Sequence, residues 1–248
     1  MPKVAIVTGG ARGIGRACAH ALAERGYDIA LVDLLRPEME RTAGEIGERG
    51  RKALVFEADV SEFGRAHVVV DEVKRAWGRI DFLLNNAGGS NPVGILEITE
   101  DSFDRTIAVN LKSCFNYIHA VAPVMLAQDG GGRIASMSSI NALSGGVTSA
   151  VSKHAYAAAK AGILGLTRAL AKELGPKIAV NAICPGVIKT ELGNVLTRSR
   201  EPQLVEGICL GRLGTPQDVA QLVAFLATSE PSFITGQHFV VDGFQWSC

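Results

Sequence analysis

Tyr156 and Lys160 stand four residues apart in HAYAAAKAGILGLTRALAKEL. This is a run of strong helix formers, so both side chains leave one helix face a single turn apart. The spacing sets an ammonium beside a phenol. A phenol ordinarily holds its proton until about pH 10, and a neighbouring cation favours its ionised form. Such a pair can take a proton from an alcohol, or return one to a developing alkoxide, near neutrality. An Ala-rich helix can also carry a tyrosine packed over a lysine stem with no chemistry attached. Chemistry therefore requires further groups that converge on the pair.

The first of these is a glycine-rich turn. Thr8-Gly9-Gly10-Ala11-Arg12-Gly13-Ile14-Gly15 leaves one apolar run and enters a helical pattern, the place where a dinucleotide pyrophosphate can rest on a helix N-terminus. Glycines are needed there because a Cβ would block the tight turn or the approach of backbone to phosphate. Asp33 ends the second apolar run, at the separation where a carboxylate meets the adenosine ribose. It would accept hydrogen bonds from the diol and repel a 2′-phosphate, so NAD is favoured as the cofactor. Arg12 keeps NADP open, because a guanidinium in this turn can pair with the extra phosphate.

These groups need a scaffold, and the hydrophobic pattern supplies one. Short apolar runs at Lys3–Thr8, Asp28–Asp33, Lys52–Ala58, Ile80–Asn85, Arg133–Ser138, Lys177–Ile183 and His238–Val241 read as strands. Helical patterns lie near Gly13–Arg25, Glu38–Arg49, Glu62–Trp77, Glu100–Gln128, Ala155–Leu174 and Pro216–Ala227. Runs such as Val4-Ala5-Ile6-Val7 are apolar at every residue, so helices should cover both sheet faces. The predicted fold is α/β: a doubly wound (Rossmann) parallel seven-stranded sheet with helices on both faces, one domain over residues 1–248. The irregular stretches Gly88–Ile98, Asn141–His154 and Pro185–Arg212 all follow strands, and they should crowd onto the ligand-binding edge.

Bulk properties narrow the partner. Lys+Arg and Asp+Glu both total 25, which leaves no excess charge to attract nucleic acid or anionic lipid. No stretch suggests a membrane span or a secretory leader, and a cytoplasmic protein is expected. The five cysteines lack C-x-x-C spacing and read as reduced and structural. The five histidines show no H-x-x-x-H spacing, so no metal is expected, and no G-x-S-x-G turn suggests a serine hydrolase. His154 is expected at a solvated helix start, and Trp246 at a subunit contact.

Further motifs give the chain a resemblance to the short-chain dehydrogenase/reductase family along nearly its whole length. They are Asp59-Val60, Asn85-Asn86-Ala87-Gly88, Asn110, Ser138-Ser139, Tyr156-Ala157-Ala158-Ala159-Lys160, Pro185-Gly186, Thr235-Gly236 and Val241-Asp242-Gly243, in that order. The resemblance implies a catalytic set of Asn110, Ser139, Tyr156 and Lys160. Ser139 would hold the reacting oxygen, and Asn110 a water that links the lysine to solvent. It also implies cofactor contacts at Gly9, Arg12, Gly13, Ile14, Gly15 and Asp33, with Asp59 and Val60 along the adenine. Asn86, Ala87 and Gly88 would form the wall towards the nicotinamide. Pro185, Gly186, Ile188 and Thr190 would stand at the carboxamide end, beside Tyr156 and Lys160. Ser139 and Tyr156 are 17 positions apart, longer than is usual in the family, so the loop between them should bulge over the substrate. The chain ends VDGFQWSC, where similar proteins more often carry a second glycine after Asp-Gly.

The reading that follows is an NAD(P)-dependent oxidoreductase interconverting a secondary alcohol and a ketone, a small-molecule enzyme and by resemblance a homotetramer. Its substrate loop would span about 187–213. Two alternatives stay open: an NADPH-dependent 3-oxoacyl thioester reductase working on an acyl carrier protein, and a non-catalytic dinucleotide-binding regulatory protein.

Overall fold

The most apolar segments of the chain take the centre of one sheet. In a computed structural model that describes residues 2–146, 152–191 and 201–245, seven parallel strands run β1 (Lys3–Thr8), β2 (Tyr27–Asp33), β3 (Ala53–Glu57), β4 (Phe82–Asn85), β5 (Gly132–Met137), β6 (Ile178–Pro185) and β7 (His238–Val241). Their spatial order is β3-β2-β1-β4-β5-β6-β7. The chain therefore reverses direction across the sheet between β1 and β4, and the crevice at their C-terminal ends is the ligand position of such sheets.

Residues of β1 alternate between the two faces, and both are covered. Val4 and Ile6 join a core layer with Val69 and Val73 of α3 (Phe63–Trp77), Tyr117 and Val121 of α5 (Ser113–Leu126), and Ile163 of α7 (His154–Leu174). Ala5 and Val7 join the opposite layer, with Leu22 of α1 (Gly13–Glu24), Met39 of α2 (Arg36–Glu48) and Val219 and Val223 of the last helix, α9 (Pro216–Thr228). Two-sided burial removes the polar alternation that a half-exposed strand would show. No helix among the described residues is long and apolar enough to cross a membrane.

Three segments depart from the sequence expectation. The single helix expected over Glu100–Gln128 is α4 (Glu100–Ile107), a π turn at Ala108–Lys112, and α5. Asn110 sits in that wider turn, where its Nδ2 donates to the carbonyl of Thr106 (3.0 Å), the acceptor its own backbone N–H would use in an α-helix. A side-chain donor thus substitutes for a backbone one. Among the described residues, the stretches expected to be irregular hold two short helices, α6 (Asn141–Ser144) and α8 (Glu201–Glu206). Pro185, expected after the sixth strand, ends it: it pairs with Val241, and its carbonyl accepts the N–H of Ile140 (3.1 Å). Trp246 and the middle of the expected bulge before Tyr156 lie outside the described residues.

Candidate active site

The turn between β1 and α1 is built from groups that only glycine leaves room for. Gly9 (φ +68°) and Gly13 (φ +57°) take left-handed backbone. A Cβ on Gly15 would lie 1.9 Å from the carbonyl oxygen of Gly9 and 2.6 Å from Asn86 Nδ2. The turn after β4 is stitched to it across the reversal point. Asn86 Nδ2 donates to the carbonyls of Thr8 and Gly9 (3.1 Å each), while Thr8 Oγ1 accepts the N–H groups of Asn86 and Ala87 (3.0 and 3.1 Å). Two loops far apart in sequence are therefore held as one rigid edge.

Asp33 closes the outer end of this edge. Its Oδ1 accepts the N–H groups of Leu34 (2.8 Å) and Leu35 (3.2 Å), and its Oδ2 that of Ala11 (3.2 Å). The carboxylate is therefore pinned between β2 and the glycine turn. It lines a cavity of about 310 Å³ together with Gly9, Arg12, Gly13, Asp59, Val60 and Ala87. Gly15 does not line this cavity; it is buried against Gly9 and Asn86, which do. Asp59 is held below its ordinary carboxylate value. Partial burial opposes this, and hydrogen bonds from the Ser61 side chain and backbone and from Arg105 (2.9 Å) outweigh it.

A second cavity, about 340 Å³, shares Ile14, Asn86, Gly88 and Thr190 with the first, so the two form one cleft. Asn110, Ser139, Tyr156, Lys160, Pro185, Gly186 and Ile188 all line it. Its polar groups are fixed from behind. Lys160 is only 3% exposed; its Nζ donates to the carbonyl of Met137 (2.7 Å) and stands 5.5 Å from the centre of the Tyr156 ring. Ser138 Oγ donates to the carbonyl of Lys160 (2.7 Å), which locks α7 to the end of β5. Ser139 Oγ accepts the N–H of Asn141 (3.2 Å), which leaves the hydroxyl hydrogen to point elsewhere. The Asn110 amide grips Gly89 twice, Nδ2 to its carbonyl and Oδ1 from its N–H (3.1 Å each). With the bond to Thr106, three of the four hydrogen-bond positions of that side chain are taken by protein. A Cβ on Gly88 would stand 2.7 Å from Asn110 Oδ1 and 3.3 Å from Lys160 Nζ, so glycine here lets the two groups share one wall.

Every residue expected in the site thus lines or underlies the cleft, and the cleft holds others that the sequence did not reveal. Arg105 donates to Asp59 and, at 2.8 Å, to Ser61 at the outer cavity. Helical spacing pairs it with Val109, four residues on and also a lining residue, but the two stand five and one residues before Asn110, so spacing from that residue does not find them. Asn91 gave no such signal. Buried, it donates to Ser102 Oγ (3.1 Å) and Thr106 Oγ1 (2.7 Å), while its carbonyl accepts the N–H of Lys153 (2.8 Å), tying the β4 loop to the start of α7. His154 is half-buried rather than solvated, and its Nε2 is buried with no partner among the described residues. Cys18, Cys114 and Cys184 are free and buried, as expected, and burial pushes each thiol up; Cys209 is instead exposed.

The cleft suits a dinucleotide: a glycine-only turn at a helix start, a fixed carboxylate at one end, and a tyrosine, lysine and serine at the other. Comparison with known proteins agrees. A family model described as enoyl-(acyl carrier protein) reductase matches residues 9–243. Oxidoreductase UcpA of Salmonella typhimurium is 37% identical over 250 residues, covering 97% of this chain and 93% of that protein. A 3-oxoacyl-[acyl-carrier-protein] reductase FabG of Staphylococcus epidermidis is 38% identical, covering 98% of each. The crystal structure of a short-chain dehydrogenase/reductase (SDR: glucose/ribitol dehydrogenase) from Brucella melitensis superimposes with a TM-score of 0.91 at 30% identity, over 99% of this chain and 97% of that one. The chain belongs to the short-chain dehydrogenase/reductase family of NAD(P)-dependent oxidoreductases.

Proposed function

We propose that the protein interconverts a secondary alcohol and a ketone, with NAD(H) preferred and Tyr156 as the general acid and base. The observation that carries this reading is the continuity of the cleft, which runs from a pinned carboxylate at Asp33 to Tyr156, Lys160 and Ser139 without a break. Gly9, Gly13 and Gly15 would admit the pyrophosphate against the start of α1, and Asn86, Ala87 and Gly88 would back the sugar and ring beyond it. A nicotinamide held there would supply hydride exchange with the substrate carbon.

The chain's own groups handle the oxygen and its proton. In oxidation Tyr156 accepts the hydroxyl proton; in reduction it donates that proton to the forming alkoxide. Lys160, anchored on Met137, sets a fixed positive charge beside the ring and stabilises the phenolate. Ser139, with one lone pair held by the Asn141 N–H, donates to the substrate oxygen where charge grows. Asn110 acts as a positioning residue through its double grip on Gly89. The water expected on Asn110 would meet its backbone carbonyl or the lone pair left on Oδ1.

Asp33 supports NAD over NADP. Three of the roughly four acceptor positions of a carboxylate are taken by backbone N–H groups, so its charge cannot swing away from a 2′-phosphate. Arg12, on the same cavity, is the group that would lend NADP what tolerance there is. The rival reading, reduction of 3-oxoacyl thioesters with NADPH, draws on the FabG relative, and Asp33 weighs against it. The partner is a small molecule rather than nucleic acid or membrane, and the working form proposed by family resemblance is a cytoplasmic homotetramer.

A panel of secondary alcohols, ketones and 3-oxoacyl thioesters, followed by the absorbance of reduced nicotinamide with each cofactor, tests the reading. Turnover is expected on alcohols and ketones, with a higher kcat/KM for NAD(H). Asp33→Ala should narrow the NAD-to-NADP ratio by about tenfold or more, the equivalent of about 1.4 kcal/mol. A wild-type preference for NADPH, or an unchanged ratio in the variant, would refute the assignment of Asp33.

A further inference from the structure

Tyr156 sits between two anchors of α7. One turn further on, Lys160 Nζ donates to the Met137 carbonyl (2.7 Å) and the Lys160 carbonyl accepts Ser138 Oγ (2.7 Å), which ties the helix to the end of β5. Three residues before the tyrosine, the N–H of Lys153 donates to the main-chain carbonyl of Asn91 (2.8 Å). Lys153 stands at the N-cap of α7, and its side chain makes no capping bond. The Asn91 carbonyl thus meets one of the donors that a helix N-terminus leaves open. A helix held on one side of a residue can pivot there; held on both sides it cannot.

Asn91 is itself firmly fixed. It is buried in the loop after β4, where Nδ2 donates to Ser102 Oγ (3.1 Å) and Thr106 Oγ1 (2.7 Å), and Oδ1 accepts the N–H of Val93 (3.0 Å). Ser102 and Thr106 stand four apart on one face of α4, and Thr106 Oγ1 donates in turn to the Ser102 carbonyl (2.7 Å). The Thr106 carbonyl accepts Asn110 Nδ2, and the Asn110 amide grips Gly89, two residues before Asn91. The bonds close a ring. It runs along the chain from Gly89 to Asn91, across to Thr106, on to Asn110 and back to Gly89. Gly89, Ser90 and Asn110 line the inner cavity, whereas Asn91 and Thr106 line neither cavity.

We propose that Asn91 is a positioning residue for proton transfer: it fixes the start of α7, and Tyr156 with it, against the wall that Gly89 and Asn110 form. The inference rests on Tyr156 being the general acid and base. The end of β5 leads into Ser139, so the Lys160 anchor sets the phenol relative to that hydroxyl. The Asn91 anchor sets it relative to Gly89, Ser90 and Asn110. Loss of the amide would release the Asn91 main chain from α4, and its carbonyl could then shift together with the first turn of α7. Proton transfer depends steeply on placement, and a displacement of about 1 Å can cost about a hundredfold in rate.

Asn91→Ala tests the proposal beside Tyr156→Phe, with turnover per folded site, cofactor affinity and the solvent deuterium isotope effect on kcat measured for each. In Asn91→Ala kcat is expected to fall by about tenfold to a hundredfold. Cofactor affinity should stay unchanged, and the isotope effect should rise because proton transfer becomes the slow step. A residue that merely supports the fold would lower Tm and leave kcat per folded site and the isotope effect where they are. Thr106→Val removes an acceptor of the Asn91 amide without altering the cleft lining, and it carries the same test if Asn91→Ala does not fold. Its kcat should fall too, and the double variant should lose no more than Asn91→Ala alone, since both act through one network. The proposal is overturned if both single variants turn over as the parent does, or if the loss appears in cofactor affinity with the isotope effect unmoved. A near-normal kcat in Tyr156→Phe would instead remove the acid–base reading, and this proposal with it.

Discussion

Tyr156→Phe is expected to lower kcat by about a hundredfold to ten-thousandfold, the range that a positioned proton donor contributes, while cofactor affinity stays near that of the parent. The substitution removes one oxygen and its hydrogen and leaves the ring that packs 5.5 Å from Lys160 Nζ. Packing, charge and cleft shape are therefore conserved, and the missing group is the one that meets the substrate oxygen. Steady-state turnover and a fluorescence titration with cofactor separate the two effects. A near-normal kcat would eliminate Tyr156 as the acid and base. The same experiment on Lys160 would be harder to read. Its ammonium is also the buried donor to the Met137 carbonyl, so truncation would loosen the end of β5 as well as alter the charge beside the tyrosine, while the main-chain bond from Ser138 would stay. Removing one member of a buried polar pair leaves the other unsatisfied, at a cost of about 1–3 kcal/mol.

What the sequence made legible, and what it hid, divides along a physical line. The sheet was readable because its central strands are buried on both faces, which produces uninterrupted apolar runs such as Ile29–Val32. The proton-exchange pair was readable because helical spacing is local: Tyr156 and Lys160 announce their shared face within five residues. The glycine turn was readable because positive φ and close backbone approach exclude other residue types. The hidden parts depend on contacts between distant segments. Helix periodicity alone gave no sign that Asn110 would take over a backbone acceptor and open a π turn. Asn91 joins α4 to the residue before α7 through side-chain and backbone bonds that no spacing encodes. Pro185 was expected after the sixth strand. It nevertheless closes β6, which has β7 on its outer side.

The cofactor turn yields the second large effect, expected from Gly15→Ala. Its added carbon would lie 1.9 Å from the Gly9 carbonyl oxygen and 2.6 Å from Asn86 Nδ2. Neither neighbour can retreat cheaply. The carbonyl belongs to a backbone turn whose N–H is bonded to Val32 (2.7 Å), and the amide is held by Thr8 and Gly9. Overpacking of this kind costs about 1–3 kcal/mol or more. Because the strain falls on the turn that would meet the pyrophosphate, cofactor affinity should drop by about tenfold to a hundredfold or beyond, with a lower Tm in the absence of ligand. Gly44→Ala is the matched control. It adds the same methyl group within α2, where nothing lies within 4 Å, and helix propensity favours alanine by up to about 1 kcal/mol. Cofactor titration of the two variants side by side separates a general effect of the methyl from a specific one. Equal affinity in both would mean that the glycine turn does not carry the dinucleotide.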